Sequence, residues 1–326
     1  MAKPENVLPT SDHFVLERLA DGLYAAVATP GGAAFSNAGI VDLGDRTLIF
    51  DTFETPVAAE AGRAAAEQLT GRSATYVINS HVHADHWCGN QVFAAETAII
   101  ATHTVRAEMP EAVEWLQELK EDPGELTRAI EEERADLEKE SDSRRIASLE
   151  ASISRMTGWL EGLPSLEFCL PTQTFEGRLA FHGSRRSAEL VEVHPGHTSN
   201  DAYLVLSDDR IMFMGDLGFF QTQPFMVYCN PDAWMEQLEE MAHSEIETFV
   251  PGHGPVGTRD DITLQCRYIA LVEELAARVA GQGGSPDDAI GQALPPPFDA
   301  WLHGGMARWE ANIESAFRRL AGAAAV

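Results

Sequence analysis

Cysteine is scarce in this chain. The four cysteines, Cys88, Cys169, Cys229 and Cys266, are widely separated and form no CxxC pair. A disulfide framework or a thiolate zinc site needs cysteines at closer and more regular spacings. The scarcity therefore argues against both, and we interpret the four side chains as reduced thiols.

Basic residues are also few. Lys and Arg number 23 against 51 Asp and Glu, which gives a formal net charge of -28. A field of this sign repels nucleic-acid backbones and anionic membrane surfaces, although a local metal site can still attract a small anion. We therefore expect a small-molecule substrate and no nucleic-acid or membrane partner.

Long apolar runs are missing as well. No stretch approaches the roughly 18 apolar residues of a membrane span, and the N-terminal segment MAKPENVLPTSDHF lacks the apolar region of a signal peptide. The expected localisation is the cytoplasm. What the chain does have is 44% apolar residues over 326 positions, enough to bury the core of a globular protein.

Short apolar segments alternate with helical patterns along the chain. We predict strands at 23–27, 39–43, 47–50, 75–78, 189–193, 202–206 and 210–214, and helices at 55–69, 231–243, 264–280 and 306–320. This order is typical of an α/β protein. We expect residues 1–326 to form a single domain with a helical C-terminal extension from about 260 to 326.

The stretch from about 108 to 162 is rich in charged, helix-favouring residues. Within it Ile146, Leu149, Ile153, Met156 and Leu160 recur at spacings of three and four, as on one face of an amphipathic helix. We predict a helical insertion here. The pattern fits a hairpin that packs on the domain, a lid over a site or the contact of a homodimer.

Histidine is concentrated in one segment, NSHVHADHWCGN, at 79–90. If the chain is extended there, His81, His83 and Asp85 point to one side because alternate residues share a face. A following turn would bring His86 round. Neutral imidazoles and carboxylates are the ligands that zinc prefers, so the segment predicts a metal site, with room for two ions.

Three more metal-binding residue types lie in glycine-containing turns further along the chain. His197 is in HPGHTSND, Asp216 in FMGDLGF and His253 in VPGHGPV. Asp216 and His253 follow apolar runs, so we expect them at the C-terminal ends of strands, where sites of α/β proteins collect.

The order HxHxDH, GHT, GD and PGHG resembles the metallo-β-lactamase-fold hydrolase superfamily, over roughly residues 20 to 260. The resemblance implies an αββα sandwich, in which two mixed β-sheets are flanked by helices and the metals lie at one edge. It also implies the ligands. His81, His83 and His197 would hold one metal, Asp85, His86 and His253 a second, and Asp216 would bridge them. Asp51, which ends the strand TLIFD, would orient a ligand from behind.

The function that this resemblance implies is hydrolysis with two zinc ions, with Mn²⁺ or Fe²⁺ able to replace one or both. A metal-bridging hydroxide would attack a carbonyl, with Asp85 and Asp216 as the catalytic carboxylates. Esters, lactones, thioesters and amides all suit this chemistry. An apolar segment after Asp216 would then be either core or a pocket wall for a small, partly apolar substrate. Its members are Phe219, Phe220, Phe225, Met226 and Tyr228.

Two alternatives remain open at this point. Class B β-lactamases usually lack an aspartate at the position of Asp216, and some place a lysine just after it to bind the substrate carboxylate. This chain continues LGFFQTQPFMVY, which offers no cation. Related proteins with a single iron oxidise persulfides and use ligands of the His81, His83, His197 and Asp216 type, and the presence of the other three residues does not exclude that reaction.

Overall fold

The computed structural model describes residues 7–93, 97–301 and 305–323 of the protein. Within these ranges twelve strands form two mixed sheets, one of seven strands and one of five. The seven-stranded sheet contains β1 (Phe14–Ala20), β2 (Leu23–Ala28), β3 (Ala38–Asp42), β4 (Thr47–Phe50), β5 (Tyr76–Ile78), β6 (Ala98–Thr102) and β7 (Gln173–Phe175). The five-stranded sheet contains β8 (Arg178–His182), β9 (Ser187–Val193), β10 (Asp201–Leu206), β11 (Ile211–Phe219) and β12 (Thr248–His253).

Both sheets change from antiparallel to parallel pairing along the chain. β1 to β4 form an antiparallel meander, and β4 to β7 then pair in parallel in chain order. In the second sheet β8 to β11 are antiparallel, and β12 joins β11 in parallel. The sequence analysis missed β1, β6, β7 and β8. β7 and β8 are short and largely exposed, so they carry little apolar pattern.

The described helices pack on the outer faces and on one side of the sandwich. They are α1 (Pro56–Thr70), α2 (His103–Glu121), α3 (Gly124–Leu137), α4 (Ser143–Gly162), α5 (Pro231–His243), α6 (Arg259–Gly281), α7 (Pro286–Ile290) and α8 (Gly305–Ala323). None of these described helices is long and apolar enough to cross a membrane. The predicted extension from about 260 to 326 includes 302–304 and 324–326, which lie outside the described residues.

Local capping fixes several of these boundaries. Thr55 accepts a hydrogen bond from the N–H of Ala58 at the start of α1, and Gly71 ends that helix with φ of 74°. α2 begins at His103, earlier than the predicted boundary of about 108, because Thr102 accepts a hydrogen bond from the N–H of Val105. Charge pattern alone did not reveal this cap.

The main core lies between the two sheets. Phe50 of the first sheet and Phe213 of the second have ring centroids 6.1 Å apart within this layer. Helix α1 covers the outer face of the first sheet, and α5, α6 and α8 pack together outside the second. Burial of these apolar layers stabilises the sandwich by roughly 25 cal/mol per Å² of apolar surface. The predicted αββα architecture is confirmed.

Candidate metal centre

The predicted ligands meet where the two sheets come together at one edge. The segment after β5 supplies four of them, and the other three come from the turn after β9, from β11 and from the end of β12. Parallel pairing of β4 with β5 and of β11 with β12 brings these ends to one edge. Asp85 and His253, which are 168 positions apart in sequence, are thereby brought to 3.2 Å.

The first donor group contains His81, His83, His197 and Asp216, whose ligand atoms lie within 4.8 Å of one another. Oδ2 of Asp216 is 3.6 Å from Nε2 of His81 and 3.3 Å from Nε2 of His197. Nε2 of His197 is 3.1 Å from Nδ1 of His83. Three imidazoles and one carboxylate oxygen thus face a common point.

The second donor group contains Asp85, His86 and His253, again within 4.8 Å. Oδ2 of Asp85 is 3.3 Å from Nε2 of His86 and 3.2 Å from Nε2 of His253. The other oxygen of Asp216, Oδ1, is 3.0 Å from His86 Nε2 and 3.3 Å from His253 Nε2. Asp216 therefore presents one carboxylate oxygen to each group, which is the geometry of a bridging ligand.

The electrostatics of both groups suit divalent cations. Among the described residues, Nε2 of His81, Nε2 of His86 and Oδ1 of Asp216 are buried, and even the 3.0 Å contact between the last two lacks hydrogen-bond geometry. Such a state is costly unless a ligand occupies the space between them. Burial lowers the pKa of His83 to about 3 and that of His81 well below its usual range. Both imidazoles stay neutral and keep a lone pair, as metal binding requires.

The pKa of His86 is shifted in the opposite direction to those of His81 and His83. Burial favours its neutral form, but the carboxylates of Asp216, Asp85 and Asp51 outweigh this and raise its pKa well above the usual range. Several buried carboxylates around one imidazole are stabilised by a positive charge placed among them. A divalent cation supplies that charge without protonation of the ring, so the residues present fit a metal.

Asp51 lies behind the histidines, as predicted. Its Oδ2 is 2.7 Å from Nδ1 of His86, and it accepts hydrogen bonds from the N–H and the hydroxyl of Ser80 at 2.8 Å. The Ser80 hydroxyl is in turn 2.9 Å from Nδ1 of His81. Asp51 thus orients one ligand of each donor group, directly or through Ser80. The sequence analysis did not identify Ser80.

Two glycines make room for Asp216. A Cβ at Gly215 would lie 2.7 Å from the Cβ of Ser80, and a Cβ at Gly252 would lie 2.0 Å from Oδ1 of Asp216. Gly215 also has φ of 54°, and the β11 to β12 register shifts there. Asp216 lies within β11, which runs on to Phe219, and not at the C-terminal end of the strand as expected.

A cavity of about 870 Å³ opens onto the two groups and is lined by His83, Asp85, Asp216 and His253. Of the five residues predicted for the pocket, Phe219, Phe225 and Tyr228 line this cavity, and Tyr228 is the most exposed. Phe220 lines a neighbouring cavity of about 610 Å³.

Met226 belongs to the core, one of the two alternatives left open for this segment. Its side chain is fully buried in the apolar core outside the second sheet, and its backbone N–H donates to Oδ1 of Asn312. The periodicity of an apolar loop does not distinguish core from pocket wall, since both need apolar side chains.

Two arginines on the cavity wall were missed altogether. Arg155 of α4 and Arg308 of α8 both line it, although each lies far in sequence from the metal motifs. Arg155 is held by Glu54, whereas Arg308 donates from Nη1 to the carbonyl of Gln223 at 3.1 Å. Each of these helices carries three arginines and two glutamates, so composition alone did not distinguish the arginine that lines the cavity.

Comparison with known proteins identifies the family of this fold. The family model of the metallo-beta-lactamase superfamily matches residues 31–253, while no curated protein sequence matches significantly. Similar solved structures include a metallo-beta-lactamase from Pontibacter korlensis, with a TM-score of 0.54 and 13% identity over 79% of this chain and 99% of that one. Another is the DIM-1 metallo-beta-lactamase, with a TM-score of 0.53 and 14% identity over 79% of this chain and 98% of that one.

At these identities the solved structures establish the fold, whereas the family match spans the segment that carries all seven predicted ligands. The resemblance based on HxHxDH, GHT, GD and PGHG is thus confirmed. The chain belongs to the metallo-β-lactamase superfamily, a family of metal-dependent hydrolases.

Proposed function

We propose that this protein is a dinuclear zinc-dependent hydrolase that attacks the carbonyl of a small, partly apolar ester, lactone, thioester or amide. One observation carries the proposal: the two oxygens of Asp216 face two separate groups of histidines, at 3.0 to 3.6 Å. Mn²⁺ or Fe²⁺ in one or both positions is compatible with the same imidazole and carboxylate donors.

Two bound cations would supply a hydroxide nucleophile near neutral pH and polarise the scissile carbonyl. The protein's own residues do the positioning. Asp85 lines the cavity and offers Oδ2 to the second donor group, so its other carboxylate oxygen can accept a hydrogen bond from the attacking water and hold it towards the substrate. Asp51 and Ser80 keep the imidazoles in place during turnover.

The shape of the cavity supports a partly apolar substrate. The rings of Phe225 and Tyr228 have centroids 5.8 and 5.9 Å from that of His83. These rings form an apolar surface directly beside the first donor group. A hydrocarbon part of the substrate would pack there.

The persulfide dioxygenase alternative requires only the first donor group. The presence of a complete second group, with Asp85, His86 and His253 also within 4.8 Å of one another, favours two ions. β-Lactam hydrolysis stays a candidate because the similar solved structures are of metallo-beta-lactamases.

The test is metal quantification followed by kinetics on the purified protein. We expect about two zinc ions per chain and turnover of at least one activated ester, lactone, thioester or amide. A β-lactam and a phosphodiester complete the panel. About one iron per chain, with consumption of O2 in the presence of a persulfide, would overturn the hydrolase proposal.

A further inference from the structure

Arg308 of α8 places a guanidinium on the wall of the metal cavity. Its central carbon lies 5.5 Å from the ring centroid of Phe225 and 5.9 Å from that of Phe219. One donor, Nη1, is used by the carbonyl of Gln223. The aromatic rings and this single carbonyl hold the group in place but do not neutralise it.

The two arginines of the cavity differ in how their charge is balanced. Arg155 makes two hydrogen bonds to Glu54, with Nε to Oε2 at 3.1 Å and Nη2 to Oε1 at 2.6 Å. Arg308 has no carboxylate oxygen within 4.0 Å in the described part of the chain. Among the described side chains, Glu54 therefore pairs with Arg155, whereas no carboxylate pairs with Arg308.

Four of the five acidic side chains that line the cavity have other partners, and the fifth, the exposed Glu111, does not lie within 4.0 Å of a guanidinium nitrogen of Arg308. Glu54 is bound to Arg155, Asp85 and Asp216 face the histidines, and Glu108 accepts a hydrogen bond from the hydroxyl of Ser199. A partly buried guanidinium is stabilised by an anion in bidentate geometry. In this cavity a bound ligand can provide that anion.

Arg308 also lies between the metal cavity and the neighbouring cavity. The cavity of about 610 Å³ shares Phe35, Arg155, Phe225 and Arg308 with the metal cavity. Its remaining wall is made largely of small residues such as Gly31, Ala151 and Ala311. A ligand held at Arg308 can therefore reach the metal centre on one side and extend into free volume on the other.

We propose that Arg308 binds a carboxylate of the substrate, so that the hydrolase acts on carbonyl compounds that carry a second, anionic group. This inference rests on the proposed function. A carboxylate is favoured over a phosphate because the chain's net charge of -28 opposes each additional negative charge on a ligand. The fork of Arg308 matches the two oxygens of one carboxylate.

The test compares two esters that differ in one charge, 4-nitrophenyl hemiglutarate and its methyl ester, with the zinc-loaded full-length protein. We expect wild-type kcat/KM to be higher for the charged ester by about tenfold or more. Arg308→Gln should remove most of this preference through KM, and Arg308→Lys should remove part of it because it keeps a charge without the fork. Arg318→Gln, an exposed arginine on the same helix, is the matched control and should keep the preference.

A wild type without preference, or an Arg308→Gln variant that slows both esters equally, overturns the inference while the hydrolase proposal stands. If Arg308→Gln does not fold, the ratio of kcat/KM for the charged ester to kcat/KM for the methyl ester is compared between the wild type and Arg308→Lys. If the wild type cleaves neither ester, calorimetric titration with glutarate decides. Binding that weakens about tenfold or more in the Arg308 variant supports the carboxylate site even though the proposed function fails, and equal or absent binding overturns it.

Discussion

Arg155 and Glu54 form a buried bidentate ion pair that joins helix α4 to the loop after β4. The Arg155 guanidinium also lies 3.4 Å from the ring centroid of Phe35. The Glu54 side chain is 3% exposed and that of Arg155 is 25% exposed. One end of the helical insertion is thereby attached to the wall of the metal cavity.

Removal of Arg155 should destabilise the protein, because the carboxylate of Glu54 would be left buried without its partner. We expect Arg155→Met to lower the free energy of unfolding by about 3 kcal/mol, measured by urea denaturation. Arg145→Met, which removes an exposed ion-paired arginine from the same helix, should cost less than about 1 kcal/mol. Equal losses in the two variants would show that the Glu54 pair has no special role.

The same pair predicts a dependence on pH. Burial raises the pKa of Glu54 above its ordinary value of 4.5, although Arg155 lowers it. A raised pKa in the folded state means that ionisation of Glu54 costs stability as pH rises through that pKa. Arg155 offsets this cost only in the wild type. The loss caused by Arg155→Met should therefore be larger at about pH 7.5 than at about pH 5, and a loss independent of pH would contradict this account.

Asp216 should be needed at both metal positions. We expect Asp216→Ala to lower the zinc content from about two ions per chain to less than one, and to reduce turnover by about a hundredfold or more. His81→Ala, which removes a donor from the first group alone, should abolish turnover but retain more zinc. Circular dichroism checks that both variants fold. Unchanged activity in either variant would exclude the metal mechanism as proposed.

Asp51 should act through the ligands that it orients. Asp51→Asn replaces one acceptor of its hydrogen bonds with an amide nitrogen, so His86 and Ser80 lose part of their support. We expect zinc affinity to fall about 10- to 100-fold, measured by competition with a chromophoric chelator. Asp287→Asn in α7 is the control, since Asp287 is far from these contacts in the fold. An affinity equal to that of the wild type would mean that Asp51 has only a structural role.

Gly252 should tolerate no side chain. A methyl group there would collide with Oδ1 of Asp216, so Gly252→Ala should displace the bridging carboxylate and reduce zinc content and turnover together. Gly281→Ala is the matched control, because a Cβ at Gly281 has no described heavy atom within 4 Å. A fully active Gly252→Ala would show that β12 shifts to relieve the collision.

The clustering of the seven candidate ligands could be predicted because they lie in short local motifs. His81, His83, Asp85 and His86 lie within six positions, and glycine-containing turns mark the remaining three. Asp51 was predictable as the acidic end of an apolar strand. The two-sheet architecture followed from the resemblance that these motifs carry, and buried strands such as β4 were visible as apolar runs.

The wall of the cavity was not predictable in the same way. Arg155 and Arg308 reach it from helices that are distant in sequence, and only tertiary packing brings them there. Ser80 and Glu54 act through single hydrogen bonds or ion pairs, which leave no periodic signal. Met226 lies in an apolar segment of which some members line the cavity and others face the core. The sequence pattern did not reveal that Met226 faces the core.

The family match covers residues 31–253, whereas Arg308 lies outside it on α8. If Arg308 binds the substrate as we propose, one determinant of selectivity is encoded outside the segment that carries the candidate metal ligands. Substitution of Arg308 should then change which molecules are accepted while the candidate ligands and the α8 residues buried in the core, Trp309 and Ile313, stay in place.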